Sequence, residues 1–179
     1  MDAQRYLFIS YKHDELSTRY AREIYQHFAA YADGLDFELY MDDADNLAGC
    51  EWAGNVDEAL QRCSHFLVLL TTAYWLSPEC RRELAASLAR FEATQSPRLL
   101  FVLGQDLRPD LLKFDRARGT AVLESPQPHI ERVSDIHFLG PYDRSTRLVR
   151  LSSDAVERSD QYAQLLTRFA ATLKLAARA

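Results

Sequence analysis

Phe66-Leu67-Val68-Leu69-Leu70 is an unbroken apolar run between His65 and the polar pair Thr71-Thr72. A strand with one face in water alternates apolar and polar residues, so an unbroken run reads as a strand covered on both faces. Such a strand needs a layer of structure on each side. Directly after it, Ser77 suits a helix N-cap and Pro78 the first helical position, where its missing N–H costs nothing. The helix they start carries Cys80, Leu84, Leu88 and Phe91 on one face. Glu79 and Glu83, four residues apart, project together from a neighbouring face. They lie one turn above the carboxyl end of the strand, the edge of an open parallel sheet at which ligands bind. Paired glutamates are also common on solvated helix faces, so spacing alone does not make them a site.

The same alternation repeats along the chain. Tyr6 to Tyr11 reads as a first strand, ending in Lys12-His13-Asp14-Glu15. Asp14 and Glu15 suit the first turn of a helix, where acidic groups meet the positive end of the dipole. That helix carries Leu16, Tyr20, Ile24, Phe28 and Tyr31, and Gly34 is its expected stop. Phe37 to Met41 is the second strand, running into Asp42-Asp43-Ala44-Asp45. Val56, Leu60 and Cys63 mark a short helix before the central strand, and Leu99 to Gly104 is a fourth strand after the break at Ser96-Pro97. This β-α-β-α-β-α-β order, with connections long enough for right-handed crossovers, predicts a parallel sheet with helices on both faces.

Residues 105–150 are expected to be irregular, because Pro109, Pro126, Pro128 and Pro141 interrupt any long element. Asp135 to Leu139 is the candidate fifth strand. A C-terminal helix is expected over 152–177, started by Ser153 or Ser159, with Tyr162, Leu166, Phe169 and Leu173 as its core stripe. The length of 179 residues fits one domain with its own core, taken here as 1–179.

Several chemistries find no support. The net charge of −5 argues against direct nucleic-acid binding, which calls for a basic excess. The longest apolar runs fall short of the ~20 residues that span a bilayer, so no membrane partner is expected. Cys50, Cys63 and Cys80 include no C-x-x-C pair, which suggests a reduced, cytoplasmic setting without disulfides or zinc. Histidines 13, 27, 65, 129 and 137 are scattered, so no metal site is expected. Gly49 and Gly54 are spaced as in a phosphate loop, but Asn55-Val56 stands where Lys-Ser/Thr is required. A phosphorylated receiver domain needs an Asp after its third strand, and here Thr71-Thr72 follows it. His65 opens a buried strand and reads as structural, whereas His13 lies near any site at the sheet edge.

Three stretches together resemble a TIR (Toll/interleukin-1 receptor homology) domain of the bacterial and plant NAD-cleaving kind. Leu7-Phe8-Ile9-Ser10-Tyr11-Lys12-His13 is similar to the family's first-strand box. Asp42 through Trp52, with Asp45 and Gly49 in place, resembles the loop after the second strand. Ser77-Pro78-Glu79-Cys80-Arg81-Arg82-Glu83-Leu84 is similar to the family's S-x-x-C-x-x-E-L segment. The match covers roughly residues 5–104 and thins beyond them.

The resemblance implies a flavodoxin-like three-layer α/β domain with a mainly parallel five-stranded sheet in the order 2-1-3-4-5. It also implies an NAD glycohydrolase or cyclase that cleaves the nicotinamide–ribose bond, with Glu83 in the catalytic place. NAD is then the substrate, and no separate cofactor is implied. Loss of nicotinamide leaves an oxocarbenium-like ribose, whose charge a nearby carboxylate stabilises. Ser10, Tyr11 and Lys12 line the implied pocket, with His13, Asp42, Trp52, Ser77 and Glu79 around it. Lys12 suits the pyrophosphate or points to solvent, and Trp75 stacks on a base or packs in the core. Enzymatic relatives often carry Trp four residues before the Glu, and here that position is Glu79.

In relatives the loop after the second strand reaches a neighbouring protomer in an open head-to-tail assembly. Asp45, Leu47 and Gly49 occupy that loop here, so the resemblance implies activation by self-association in a prokaryotic defence or signalling pathway. Other domains or subunits of a defence complex are further partners it implies. A non-catalytic TIR scaffold is the alternative, and a nucleoside deoxyribosyltransferase-like enzyme, which also pairs a doubly wound sheet with a catalytic Glu, is a second.

Overall fold

The computed structural model describes residues 5–41, 55–104, 112–115, 120–123 and 149–176. Strand β1 (Tyr6–Ser10) leads through helix α1 (Glu15–Ala29) and the single turn α2 (Ala32–Leu35) to strand β2 (Glu38–Met41). Helix α3 (Asn55–Arg62), strand β3 (His65–Leu70), the short helix α4 (Thr72–Leu76), helix α5 (Pro78–Thr94) and strand β4 (Arg98–Leu103) follow. Two further strands, β5 (Leu112–Asp115) and β6 (Thr120–Leu123), precede strand β7 (Val149–Arg150) and helix α6 (Ala155–Ala176).

β2-β1-β3-β4-β7 form one five-stranded sheet in that order, with every pair parallel. This is the flavodoxin-like order expected from the sequence. The fifth place belongs to β7, which pairs with Val102 and Leu103. The strand expected over Asp135–Leu139 lies outside the described residues. β5 and β6 form a separate antiparallel pair inside the stretch expected to be irregular, a local order that the proline spacing concealed.

The alternation of side chains along each strand splits the core into two layers. Phe8, Phe66, Val68, Leu70, Phe101 and Leu103 pack toward α3, α4 and α5, against Ala59, Tyr74, Trp75, Cys80 and Leu84. Leu7, Ile9, Leu67, Leu69, Leu100 and Val102 pack on the other face toward α1 and α6, against Tyr20, Ile24, Phe28, Tyr162, Leu165 and Phe169. Every residue of β3 is buried, as its unbroken apolar run requires. Leu88 and Phe91 join Cys80 and Leu84 against the first layer, as the helical spacing implies. Arg90 of α5 donates to the carbonyls of Leu60 and Cys63, which ties α5 to the C-terminal end of α3.

Two helix boundaries differ from expectation. α1 ends at Ala29, and Gly34 lies inside α2, whose left-handed cap is Asp36 at φ 54°. Asp is among the few non-Gly residues that visit this region routinely. α6 starts at neither Ser153 nor Ser159. The Asp154 carboxylate caps it, accepting from the N–H groups of Val156 (3.0 Å) and Glu157 (2.9 Å). An ionised acceptor at a helix N-terminus also gains from the dipole, which a serine hydroxyl does not. α4 is too short to show a period. Its formation depends on Thr71, whose hydroxyl accepts from the Tyr74 N–H at 3.0 Å.

Candidate active site

β1 ends at Ser10, opposite Val68 of β3, and both strands present their carboxyl ends on the same edge of the sheet. The next strand in the sheet on the β3 side is β4, whereas β2 flanks β1, so the strand order reverses between β1 and β3. The crevice at such a switch point is where this architecture binds ligands. α4 and α5 rise from the end of β3 and form one wall of it. Ser77 caps α5, accepting from the Cys80 N–H at 3.4 Å and donating to Glu79 Oε2 at 2.9 Å. Pro78 occupies the first turn.

Glu83 then faces back across the crevice to β1. Ser10 Oγ donates to Glu83 Oε2 at 2.8 Å. Ser10 Oγ also contacts the Tyr74 hydroxyl at 3.0 Å, and that hydroxyl donates to the Cys80 carbonyl at 3.1 Å. Ser10 and Tyr74 are buried, whereas Glu83 is half-buried. Between β1 and α5 lies a cavity of about 270 Å³ lined by Ser10, Tyr11, Lys12, Ser77, Glu79 and Glu83, with His13, Phe8, Ile9 and Cys80 completing it. The rings of Tyr11 and His13 lie 4.9 Å apart.

The electrostatics assign different parts to the groups around the cavity. The exposed Glu79 carboxyl is held below its ordinary range by its own backbone N–H and then by the Ser77 hydroxyl, so it stays charged. Burial pushes the Cys80 thiol up to about 11, and its Sγ lies 3.7 Å from the Tyr11 carbonyl. A thiol so protonated is a poor nucleophile at neutral pH. Tyr74 is raised well above its ordinary value, chiefly by burial, so it remains a neutral phenol. Among the described residues no cluster of His, Cys, Asp or Glu is arranged to hold a metal ion.

Ser10, Tyr11, Lys12, His13, Ser77, Glu79 and Glu83 thus meet at one cavity, although β1 and α5 are far apart in sequence. Trp75 does not join them. It is 1% exposed and packs in the layer with Phe8, Leu70 and Leu84, so its ring has no face to offer a ligand. Asp42, Asp45, Leu47, Gly49 and Trp52 lie outside the described residues. Tyr74 escaped the sequence reading altogether. The signal for it is a phenol three residues after the capping hydroxyl of Thr71.

A family described as TIR domain matches the sequence over residues 7–132. Among solved structures, the TIR domains of the activated Roq1 resistosome, which directly recognises the pathogen effector XopQ, are similar at 20% identity with a TM-score of 0.44. That likeness covers 56% of this chain and 58% of the other, so the chain spans little more than half of that relative. No curated protein matches the sequence.

Proposed function

The chain belongs to the TIR-domain family, and from that premise we propose that it is an NAD glycohydrolase or cyclase in which Glu83 acts on the ribose of NAD. The observation that supports this most is the Glu83 carboxyl, fixed to Ser10 at 2.8 Å on the wall of a polar cavity at the switch point. In the proposed reaction the bond from C1′ to the nicotinamide nitrogen breaks, and its electron pair leaves with neutral nicotinamide. The positive charge left on the ribose is stabilised by the Glu83 carboxylate, which sits in a partly water-excluded setting where such contacts are strong. Water attacking C1′, with loss of a proton, gives ADP-ribose; an adenine nitrogen attacking the same carbon gives a cyclic product.

A cavity of about 270 Å³ is smaller than the roughly 300–1,000 Å³ of sites for drug-sized ligands. It suits the ribosyl-nicotinamide end, with the pyrophosphate running outward past Lys12. The His13 ring at the rim, against Tyr11, takes the place for an aromatic contact that Trp75 does not fill. The test is release of nicotinamide from NAD by the wild-type protein and by Glu83→Gln. Release that is abolished in the variant supports the assignment, and equal rates remove Glu83 from the mechanism.

One observation favours a scaffold instead: Glu79 stands where enzymatic relatives often carry Trp, and Trp75 is enclosed in the core. No nicotinamide release even at high protein concentration is the outcome that selects it. The family resemblance further supports self-association through the loop holding Asp45, Leu47 and Gly49, in a cytoplasmic defence or signalling setting. Specific activity is then expected to rise with protein concentration and to fall in Leu47→Asp without loss of fold. Flat specific activity with a fully active Leu47→Asp variant would place the complete site within one chain.

A further inference from the structure

The cavity wall behind Glu83 is a chain of hydroxyls. Glu83 Oε2, Ser10 Oγ, Tyr74 Oη and the Cys80 carbonyl oxygen follow one another at 2.8, 3.0 and 3.1 Å. Those three contacts join the first strand, α4 and the first turn of α5. With Glu83 ionised, only two protons are present to serve them. The carboxylate accepts only, so the Ser10 proton goes to Glu83. The Tyr74 proton is then shared between Ser10 Oγ and the Cys80 carbonyl, which also accepts within the helix ladder. With Glu83 protonated, three protons serve three contacts, and the chain runs from Glu83 through Ser10 and Tyr74 to Cys80. The pair therefore holds the carboxyl oxygen in one place in either charge state. It does so by reversing its hydrogen bonds rather than by moving atoms.

We propose that Tyr74 is a positioning residue of this centre, whose hydroxyl acts through Ser10 to anchor the Glu83 carboxyl to the first strand. As a positioning role it rests on the assignment of Glu83 to the reaction proposed above. Tyr74 is fully buried in the layer with Phe8 and Leu84, so it does not touch substrate. Its ring already fills that space, and packing alone does not call for a hydroxyl. A buried phenol calls for partners, and both of its partners here lead to the catalytic wall. The same low dielectric that makes an unpaired hydroxyl costly strengthens the bonds along the chain, so loss of the far member weakens the near one.

The test is a cycle of Tyr74→Phe, Ser10→Ala and the double variant, read in two ways: by steady-state nicotinamide release from NAD and by urea unfolding. Tyr74→Phe keeps the ring and is expected to fold. One hydrogen bond to an uncharged partner corresponds to a fall in kcat of about fivefold, with KM within about twofold. Ser10→Ala should lower kcat further, and the double variant should be no slower than Ser10→Ala alone. The unfolding midpoint should show the same coupling: the shift caused by Tyr74→Phe shrinks by at least half once Ser10 is Ala.

Multiplicative effects on kcat together with additive midpoint shifts would overturn the proposal, because the two hydroxyls would then act independently. Unchanged kcat in Tyr74→Phe would overturn it as well. A wild-type protein that releases no nicotinamide, yet shows coupled midpoints, loses the glycohydrolase assignment and keeps the hydroxyl anchor of Glu83.

Discussion

Two half-buried glutamates each border a cavity, and the proposed function places the chemistry in the smaller one. Glu23 of α1 lines one of about 420 Å³, together with Gln26, His27, Tyr31, Ser159 and Tyr162. Arg158 of α6 meets its carboxylate with both arms, Nε to Oε2 at 3.0 Å and Nη2 to Oε1 at 3.2 Å, and the Tyr162 hydroxyl adds a third bond at 2.8 Å. Desolvation pushes the Glu23 carboxyl up, but the bonds from Arg158 and Tyr162 outweigh it and hold the carboxyl below its ordinary value. The Arg158 guanidinium also donates to the Ser152 and Ser153 carbonyls and stacks over Tyr20 at 5.0 Å. The bonds from Arg158 and Tyr162 to Glu23 fasten α6 to α1. At Glu83 the neutral Ser10 hydroxyl donates at 2.8 Å, and the residue lines a cavity together with Lys12 and His13. A carboxylate matched by a bidentate guanidinium serves architecture, whereas under the proposed function the Glu83 carboxylate serves the ligand.

The largest test of this contrast exchanges the two charges for amides. Glu83→Gln should lower nicotinamide release by at least about a hundredfold, the scale of losing one electrostatic stabiliser of a transition state, with little change in unfolding free energy. Glu23→Gln should do the reverse, leaving kcat within about twofold while lowering stability. Comparable kinetic losses in both variants would erase the distinction.

Acid should weaken the architectural side next. Burial first, then the charges of Arg98 and Arg5, lowers His65 from 6.5 to about 4, and its ring packs edge-on against Phe169 of α6 at 5.0 Å. In the unfolded chain this imidazole takes up a proton as the pH falls below 6.5, while in the fold it does so only near 4. The unfolded state thus binds more protons in that window, and stability falls with falling pH by about 3 kcal/mol between pH 6.5 and 4. Glu23 adds a loss of the same sign at lower pH, because its folded value lies below 4.5. Urea unfolding across pH 4–7, compared with a His65→Leu variant, isolates the histidine contribution as the part that disappears.

Arg158→Met comes third. Removing one partner of a buried pair costs about 3–5 kcal/mol, and the 31% exposure of the Glu23 side chain reduces that to about 2 kcal/mol. Activity per folded molecule should not change. The smallest expected effect is a null one: iodoacetamide at pH 7.5 should leave Cys63 and Cys80 unlabelled in the folded protein. Both thiols are buried and raised to about 11, which mass spectrometry of the alkylated protein checks.

The parts of the fold legible from sequence were those where local and tertiary preferences agree. β3 announced itself because Phe66 to Leu70 is an unbroken apolar run, and α5 because Ser77, Pro78 and the stripe from Cys80 to Phe91 all point to one helix. β7 was invisible for the opposite reason. Two residues carry no period, and they become a strand only by pairing with Val102 and Leu103. The start of α6 was misplaced because serines and an aspartate stand together there, and only the structure shows that the Asp154 carboxylate reaches the two free N–H groups. At the site, Glu83 and Ser10 were legible through the motifs that hold them. Trp75 was not, since an aromatic beside a sheet edge reads equally as ligand contact or core, and burial decides. Tyr74 was missed because its ring satisfies the apolar pattern while its hydroxyl does something the pattern does not record.

The claim that the smaller cavity is the reactive one is tested most directly by mapping where NAD binds. Amide chemical-shift changes in ¹⁵N-labelled Glu83→Gln protein, which retains substrate unreacted, should cluster at Ser10, Tyr11, Lys12, Ser77 and Glu79 as NAD is added. Changes that cluster instead at Glu23, His27 and Ser159 would contradict the account and move the ligand to the face between α1 and α6.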